Sequence, residues 1–519
     1  MIVVDETAAS ALRPMLQWAV ASAVLAYGLA QILLILYASH RWLILWRWWR
    51  QPRPSPVRPL RPDRARDSWP AITVQLPIYD ERRVVERLID AVAALDYPAA
   101  RLEIQVLDDS TDDTCERAAS AVARHRARGV DIRHLRRGGR AGYKAGALAW
   151  GLERARGELI AVFDADFVPP ADFLRRMVPH FGDPAVGMAQ ARWTHLNRDR
   201  SRLTAAQAVM LDSHFLLEHA VRMRDGLFFN FNGTAGIWRR ACIVEAGGWQ
   251  HDTLTEDLDL SYRAQLAGWR FVFDPTIEAP AELPGDVEAL KSQQRRWTKG
   301  SIQTARKILP ALLRGGLSPR VKLEAFVHLT SNVAYPLLLA LGLLLLPVLI
   351  GASTLPPALV WALQLGVIAL GVVPVSLFLA LGQRASGRAG SALALDVLAA
   401  LMLGVGLSLN NARAVFEGMG SRLGDWERTP KRGDSLSARD AAPYRSASAL
   451  AGRGELALAL YFTGLASFAW AAGFYRALPF LFLLVAGFAD VGWNSLRASR
   501  AGGKVLGAPL RSGGVATAG

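Results

Sequence analysis

Two carboxylates stand one residue apart at the end of an apolar run, in Asp164-Ala165-Asp166. Alternation along a strand sends both side chains to the same side, and hard divalent cations such as Mg²⁺ and Mn²⁺ take carboxylate oxygens as ligands. An ion held there can bridge two phosphates and stabilise the charge on a departing diphosphate. Taken alone, an Asp-x-Asp pair is more often a solvated acidic turn, so the metal interpretation needs support from other residues.

Two other apolar runs also end in acidic residues. Asp80 follows one of them, and Asp108 and Asp109 follow the other. A carboxylate just after a strand can accept hydrogen bonds from a base or a ribose, as in dinucleotide-binding folds. The alternative for Asp108 and Asp109 is that they cap the helix that follows. Both interpretations stay open from the spacing alone.

A third acidic pair, Glu256 and Asp257, begins a helical stretch. In a closed site, a carboxylate can take the proton of an attacking hydroxyl. The alternative is an acidic first turn of a helix, where the helix dipole favours negative charge. The pair is therefore a candidate for the general base of a transfer reaction.

A tryptophan and basic residues occur together in Gln293-Gln294-Arg295-Arg296-Trp297. The ring of Trp297 offers a flat apolar face to a sugar, and Arg296 can pair with a phosphate in bidentate fashion. The alternative is the basic end of an interfacial helix.

The glycine-rich segment 138–144 matches neither a P-loop nor a Rossmann turn. The remaining interpretation is a flexible loop that places Lys144 near a diphosphate.

Four runs in this region have the composition of strands, and they lie at 72–79, 103–109, 131–135 and 158–166. Helical stretches separate them. Repeated β–α–β order predicts a mostly parallel sheet with its ligand beyond the carboxyl ends of the strands. That edge is where the acidic residues are expected to meet.

Five apolar runs are long enough to cross a hydrocarbon core of about 30 Å, and they lie at 15–38, 326–350, 358–382, 455–475 and 477–496. The first is too long for a signal peptide and has no clear cleavage site after it. Eight arginines against one acid between 41 and 66 predict that the segment after it is cytoplasmic.

A sixth apolar run, at 391–409, is ambiguous because it contains Asp396. If it crossed the membrane, the loop 410–453, with eight lysines or arginines, would lie outside. We therefore expect an interfacial helix and five spans, with six spans as the alternative.

The chain has 519 residues and a net charge of +15. Its arginines lie beside apolar spans, so membrane lipids are the expected partner and nucleic acid is not. Cys115 and Cys242 are 127 positions apart, which indicates neither a disulfide framework nor a zinc site.

These patterns divide the chain into seven expected parts. They are a first transmembrane helix (1–45), a basic proline-rich linker (46–69), a cytoplasmic catalytic domain (70–320), a transmembrane hairpin (321–385), an interfacial helix with a loop (386–452), a second hairpin (453–497) and a cytoplasmic tail (498–519).

The motifs together resemble the processive family-2 glycosyltransferases of GT-A fold, which include cellulose synthases and cellulose-synthase-like mannan and glucomannan synthases. The matching segments, in order, are LDDSTDD (107–113), GYKAGAL (142–148), FDADF (163–167), FNGTAGIWR (231–239), AGGW (246–249), TEDLDLSYRAQLAGW (255–269) and QQRRW (293–297). The resemblance covers residues from about 70 to 435. It implies an α/β GT-A-type domain inserted between transmembrane helices of a polytopic membrane protein.

The resemblance also implies roles for single residues. Asp109 should contact the nucleotide, Asp164 the diphosphate and the metal, and Asp166 the metal more directly. Asp257 matches the catalytic base. The diphosphate and the acceptor should be held by Gln293, Arg296 and Trp297, and the acceptor-side loop should be formed by Phe231, Asn232, Gly233 and Thr234.

Residues 426–431 look like the gating loop of cellulose synthases, with Thr429 and Lys431 at its matching positions. Trp426 replaces the family's phenylalanine, and Arg428 replaces a small apolar residue, which puts the gating role in doubt. The tail after 496 is too short for a regulatory cyclic-di-GMP domain, so that control is not expected within this chain.

The function implied is an inverting, processive β-glycosyltransferase of the inner or plasma membrane. It would transfer sugar from GDP-mannose or UDP-glucose to a growing polysaccharide with Mg²⁺ or Mn²⁺, and export the product. One alternative is the addition of one or a few sugars to a lipid-linked acceptor, which needs the same carboxylates. A catalytically inactive scaffold or transporter is disfavoured because every expected carboxylate is present. The residues do not identify the export partners, the oligomeric state, the donor or the linkage.

Overall fold

The computed structural model describes residues 6–50, 69–351, 356–358, 361, 367–390, 392–420, 424, 433 and 452–504. Within these residues, the strands are β1 (Ile72–Ile78), β2 (Leu102–Asp108), β3 (Ile132–Leu135), β4 (Leu159–Val162), β5 (Val186–His195), β6 (Gly236–Arg239) and β7 (Arg270–Ala281). They form one sheet in the order β3-β2-β1-β4-β6-β5-β7.

The sheet is mostly parallel. The pairs made by β1, β2, β3 and β4 are parallel, and so is the pair of β5 and β7, whereas β6 runs antiparallel to both of its neighbours. Strands β1 and β2 are almost wholly buried, as expected for strands with both faces covered by helices. The expected α/β class with a mostly parallel sheet is confirmed.

The predicted strand at 158–166 is too long. Strand β4 ends at Val162, and the backbone N–H of Phe167 then donates to the backbone oxygen of Asp164 at 3.1 Å, which closes a turn. The turn, rather than strand alternation, therefore sets the directions of the Asp164 and Asp166 side chains. The prediction went wrong because apolar Phe163 and Ala165 continue the pattern of a strand into the turn.

The α-helices of the described residues begin with α1 (Glu6–Arg50), α2 (Val85–Ala93), α3 (Thr114–Arg126), α4 (Tyr143–Arg154), α5 (Phe173–Met177), α6 (Arg202–Ser213), α7 (Ala220–Arg224), α8 (Arg240–Glu245), α9 (Glu256–Leu266) and α10 (Val287–Arg314). The later ones are α11 (Pro319–Thr330), α12 (Ala334–Gly351), α13 (Val373–Ala385), α14 (Ala392–Gly406), α15 (Ser408–Met419), α16 (Arg453–Ala471) and α17 (Leu478–Lys504). Two π-helical segments, His214–His219 and Val367–Val372, lie next to α6 and α13.

Five helical stretches in the described part of the chain are long and apolar enough to cross a membrane. They are Trp18–Arg50, Pro319–Gly351, Ile368–Ala385, Arg453–Ala471 and Tyr475–Ser499. Each overlaps one of the five predicted spans, and the chain is a membrane protein. The ambiguous run at 391–409 forms α14, which meets α15 at a bend of 47°, so this pair would be a sixth span only if both helices crossed together.

Buried charges join the sheet domain to the first membrane helix. Arg41 on α1 lies 2.7 Å from Glu218 in the π-helical segment after α6. His40 and Arg47 on α1 both contact Glu324 on α11, which begins the next membrane-spanning stretch, at 2.7 and 2.5 Å. The contact of Arg41 therefore joins the domain to α1, and those of Glu324 join α1 to the neighbouring membrane helix.

Candidate active site

A cleft with an empty volume of about 1260 Å³ opens at the carboxyl ends of β1 and β4. It is lined by eleven of the residues predicted from the sequence: Asp109, Lys144, Asp164, Asp166, Asn232, Gly233, Glu256, Asp257, Gln293, Arg296 and Trp297. The sheet edge, the first turns of α4 and α9, and one face of α10 therefore bring together segments that lie far apart along the chain.

Lys144 reaches into the cleft from the first turn of α4. Its Nζ lies 2.5 Å from Asp164 Oδ1 and donates to the backbone oxygen of Gly233 at 2.9 Å. Burial alone would lower the pKa of this lysine, but the carboxylates of Asp164 and Glu256 outweigh burial and raise it. Lys144 is therefore a fixed positive charge in the cleft, suited to an anionic phosphate.

Asp164 and Asp166 both line the cleft from the turn after β4. Asp166 is buried, whereas the Asp164 side chain is about a third exposed. The backbone N–H of Asp164 donates to Thr234 Oγ1 at 2.9 Å, which fixes the turn against the 231–235 segment. Two carboxylates on one wall fit a hard divalent cation that a diphosphate would also coordinate.

Asp257 lies in the first turn of α9 beside Glu256. Burial, and then the negative charge of Glu256, raise the pKa of Asp257 to about 7. Burial also raises the pKa of Glu256, against the opposing effect of Lys144. A carboxyl with a pKa near neutral pH can both accept and release a proton, which is the property required of a general base.

The segment from Phe231 to Ala235 passes between these groups. Asn232 and Gly233 line the cleft, while Phe231 is buried against Trp238, and Thr234 is buried behind the cleft wall. Gly233 has φ +82°, and a Cβ placed there would stand 2.9 Å from Asp257 Oδ2. Glycine is needed here because any side chain would press on that carboxylate.

Helix α10 presents Gln293, Arg296 and Trp297 to the cleft. Their spacing of three and four residues places them on one face of the helix. Arg295 points elsewhere and forms a two-oxygen ion pair with Glu417 on α15, with distances of 2.7 and 2.9 Å from Nη2. Arg296 is within electrostatic reach of Glu256, where its positive charge opposes the burial that raises the pKa of this carboxyl.

The predicted nucleotide-contacting acids are not equivalent in the structure. Asp109 lines the cleft and is held by Arg137 at 2.7 and 2.6 Å. Asp108 is buried behind it, where its Oδ2 lies 2.7 Å from His134 Nε2. Asp80 accepts from the backbone N–H of Thr111 at 2.8 Å. Asp108 and Asp80 are therefore placed to shape this end of the cleft, with Asp109 nearest to a ligand.

A second group with metal-ligand atoms exists in the described part of the chain, where atoms of Asp108, Cys115 and His134 lie within 4.8 Å of one another. Burial raises the pKa of the Cys115 thiol, so it stays protonated at neutral pH. Asp108 already has His134 as a hydrogen-bond partner, so we interpret this group as a structural contact between β2 and β3. Asp164 and Asp166 remain the better candidates for a hard cation.

Sequence analysis missed several residues of the cleft. The guanidinium of Arg140 lies 3.4 Å from the ring centre of Tyr79 and 4.9 Å from that of Tyr143. Trp193 lines the opposite part of the cleft and packs edge-on against Phe167. The contact of Arg140 with Tyr79 and Tyr143 could have been suspected, because both tyrosines stand next to recognised motifs. No local pattern in the sequence indicated Trp193.

Thr429 and Lys431 lie outside the described residues, so their predicted contacts remain predictions. Two described glycines of the same loop are placed on the catalytic side. Gly424 borders a small pocket with Tyr143 and Glu256, and the backbone N–H of Gly433 donates to Glu282 Oε2 at 3.2 Å.

The sheet domain lies beside membrane helices, and its cleft gathers carboxylates, a half-buried lysine and an arginine–tryptophan helix face, a set of side chains suited to group transfer at a membrane. Residues 70–300 match the family described as glycosyltransferase like family 2. Glucomannan 4-beta-mannosyltransferase 9 of Arabidopsis thaliana is 36% identical over 383 residues, which cover 71% of this chain and 68% of that protein. The chain belongs to the family-2 glycosyltransferases, and the expected GT-A-type fold is confirmed.

Two further proteins are similar to part of the chain. Glucomannan 4-beta-mannosyltransferase 2 of Arabidopsis thaliana is 42% identical over 274 residues, which cover 51% of this chain and 51% of that protein. The matched region thus spans about half the length of this relative. A solved mannosyltransferase of Pyrobaculum calidifontis, in complex with GDP-Man and Mn²⁺, is 21% identical with a TM-score of 0.44, covering 74% of this chain and 97% of that one.

Proposed function

We propose that this protein is an inverting, processive β-glycosyltransferase that transfers a sugar from a nucleotide sugar to a growing polysaccharide. The observation that carries the proposal is the meeting of Lys144, Asp164, Gly233 and Asp257 within one cleft that Trp297 also lines. The relatives are named for 4-beta transfer of mannose to glucomannan, so of the two expected donors we propose GDP-mannose, the one that carries mannose, with a β-1,4-linked mannan or glucomannan as the product.

The donor's nucleotide is expected at the Asp109 end of the cleft, and its diphosphate between Lys144 and Arg296. Both cations line the cleft, and a guanidinium and an ammonium are the usual protein partners of phosphate. Asp164 and Asp166 would hold Mg²⁺ or Mn²⁺, which when bound stabilises negative charge on the departing diphosphate. Gln293 lies on the same face of α10 as Arg296 and adds an uncharged hydrogen-bonding group.

The acceptor is expected on the side of Trp297 and Asn232. Stacking on the Trp297 ring would hold the terminal acceptor sugar with its hydroxyl in line with the donor's anomeric carbon. Asp257 removes the proton of that hydroxyl as the new glycosidic bond forms on the face opposite the leaving diphosphate. Attack from the opposite face inverts the anomeric configuration.

We also propose that the catalytic domain is cytoplasmic, that the spans belong to the inner or plasma membrane, and that they form the export path. The α14–α15 pair supports five spans, because both of its ends contact the catalytic domain. Before α14, Arg388 lies 3.2 Å from Asp199, and after α15, Arg306 donates to the backbone oxygen of Gly420 at 2.6 Å. A segment that starts and ends on the same side is interfacial or re-entrant.

The proposal is tested by incubating purified protein with each nucleotide sugar, a divalent cation and an oligosaccharide acceptor. Release of GDP from GDP-mannose together with a long product that a β-mannanase degrades supports the polysaccharide synthase. Transfer of one or a few sugars to a lipid acceptor, with no long product, would instead establish the lipid-linked alternative.

A further inference from the structure

One buried side chain holds the loop that contains Asn232 and Gly233. Gln190 on β5 is fully buried. Its Nε2 donates to the backbone oxygens of Thr234 and Ala235, each at 3.1 Å, and its Oε1 accepts from the backbone N–H of Asn232 at 3.0 Å. A single amide therefore ties both ends of this short loop to the sheet.

The loop needs such a tie because its backbone is unusual. Gly233 has φ +82° and Ala235 has φ +55°, both in the left-handed region. For Ala235 this conformation is disfavoured by its Cβ, and such residues persist only where surrounding contacts over-determine them. The three hydrogen bonds that Gln190 makes to Asn232, Thr234 and Ala235 supply contacts of that kind.

The opposite side of the loop faces the reacting groups. The backbone oxygen of Gly233 accepts from Lys144, and Thr234 Oγ1 accepts from the backbone N–H of Asp164. Gly233 has no Cβ, and this leaves room for Asp257 Oδ2. A Cβ at this position would stand only 2.9 Å from that oxygen. Any shift of the loop would therefore change the packing around the carboxylate.

We infer that Gln190 is a positioning residue for glycosyl transfer: it fixes the backbone of Gly233 against Asp257, and so sets the direction in which that carboxylate meets the acceptor hydroxyl. The inference rests on the proposed role of Asp257 as the general base. Gln190 lies behind the loop and not among the residues that line the cleft, so it acts through Gly233 and not on the substrate.

A double-mutant cycle between Gln190→Met and Asp257→Asn tests the inference. Gln190→Met keeps the length of the side chain and removes the three hydrogen bonds to the loop, together with the one that Nε2 donates to the backbone oxygen of Ala191 at 2.9 Å. Displacing a reacting group by about 1 Å can cost about a hundredfold in rate, so we expect kcat to fall by about tenfold to a hundredfold with little change in the donor KM. In the Asp257→Asn background, the same change should have almost no further effect, because the group it positions no longer takes the proton.

Gln105→Met is the matched control. Gln105 is equally buried on β2, where its Oε1 accepts from Gln75 Nε2 at 3.0 Å, away from the loop. This change should lower the melting temperature and leave kcat unaltered. If Gln190→Met does not fold, Gln190→Leu replaces it in the cycle, since leucine is also uncharged and lacks all of these hydrogen-bonding groups.

An equal fall in kcat for Gln190→Met in both backgrounds would overturn the inference, because Gln190 would then support the fold without acting through Asp257. A fall in donor affinity with kcat unchanged would also overturn it. If Asp257→Asn alone retained near wild-type transfer, the proposed base would be wrong, and the inference would fall with it. That last case is recognised from the single Asp257 variant.

Discussion

Gly300 on α10 lies directly against Thr255, the residue before α9. A Cβ placed on Gly300 would stand 2.9 Å from the backbone nitrogen of Thr255 and 2.6 Å from its Cγ2. The backbone N–H of Leu254 also donates to Gln303 Oε1 at 3.0 Å, and Thr255 Oγ1 lies 3.2 Å from Thr304 Oγ1. The helix that presents Trp297 is therefore packed without a gap against the start of the helix that presents Asp257.

We predict that Gly300→Ala reduces transfer by about a hundredfold, because the added methyl group must push the start of α9 away from α10. Overpacking of this kind costs about 1–3 kcal/mol in the free energy of unfolding. Turnover and melting temperature of the purified variant measure the two effects. Gly464→Ala on α16, where a Cβ meets nothing within 4 Å, is the control and should leave both unchanged.

Asp257→Asn should lower transfer by about 10²–10⁴-fold while donor binding persists. The amide keeps the shape of the carboxylate but cannot accept the proton. Turnover assays and titration with the nucleotide sugar separate the two quantities. Near wild-type turnover by this variant would remove Asp257 from the mechanism.

Activity should rise with pH through about 7, because the base acts as a carboxylate and the pKa of Asp257 is raised to about 7. Below that pH the group is protonated and inactive, and above it the rate should level off. Glu256→Gln removes a negative charge that raises this pKa, so the acidic limb should move to lower pH. A limb that stays in place would show that another group controls it.

Turnover should require a divalent cation, and Asp166→Asn should remove most of it while the protein still inserts into the membrane. The carboxylates of Asp164 and Asp166 are the oxygen ligands on which this expectation depends. Dialysis against EDTA followed by re-addition of Mg²⁺ or Mn²⁺ checks it. Full activity in excess EDTA would contradict it.

The five-span arrangement predicts that Ser386→Cys and Ser437→Cys resist an impermeant thiol reagent in intact cells. Both positions would lie in the cytoplasm, before and after the α14–α15 pair. Ala472→Cys, in the turn after α16, is the control and should be labelled. Labelling at position 437 would establish the pair as a sixth span.

The first strands could be predicted because apolar residues occupy alternate positions in β1 and β2, and because both runs lead into acidic residues. Strand β7 was missed because Pro275 and Pro280 interrupt it, and proline is tolerated there since β7 lies at the edge of the sheet. Strand β6 has only four residues, Gly-Ile-Trp-Arg, whose two apolar residues are adjacent and show no alternation.

In the cleft, features set by spacing along one helix could be predicted, whereas contacts between separate elements could not. The face formed by Gln293, Arg296 and Trp297 follows from helical spacing, so it could be predicted. The pairing of Asp108 with His134 could not, because it joins neighbouring strands β2 and β3. The hydrogen bonds of Gln190 likewise reach residues more than forty positions away.

The ion pair of Arg41 with Glu218 has a consequence for the stability of the sheet domain. Glu218 is buried, and its pKa is held well below the usual range despite burial, first by Arg41 and also by Arg222 and His214. A fragment that begins after α1 would lose Arg41 and keep Arg222 and His214, so part of the positive charge that balances this buried carboxylate would be missing. The first membrane helix is therefore an intramolecular stabiliser of the catalytic domain as well as a membrane anchor, and we expect the domain to unfold at a lower temperature without it.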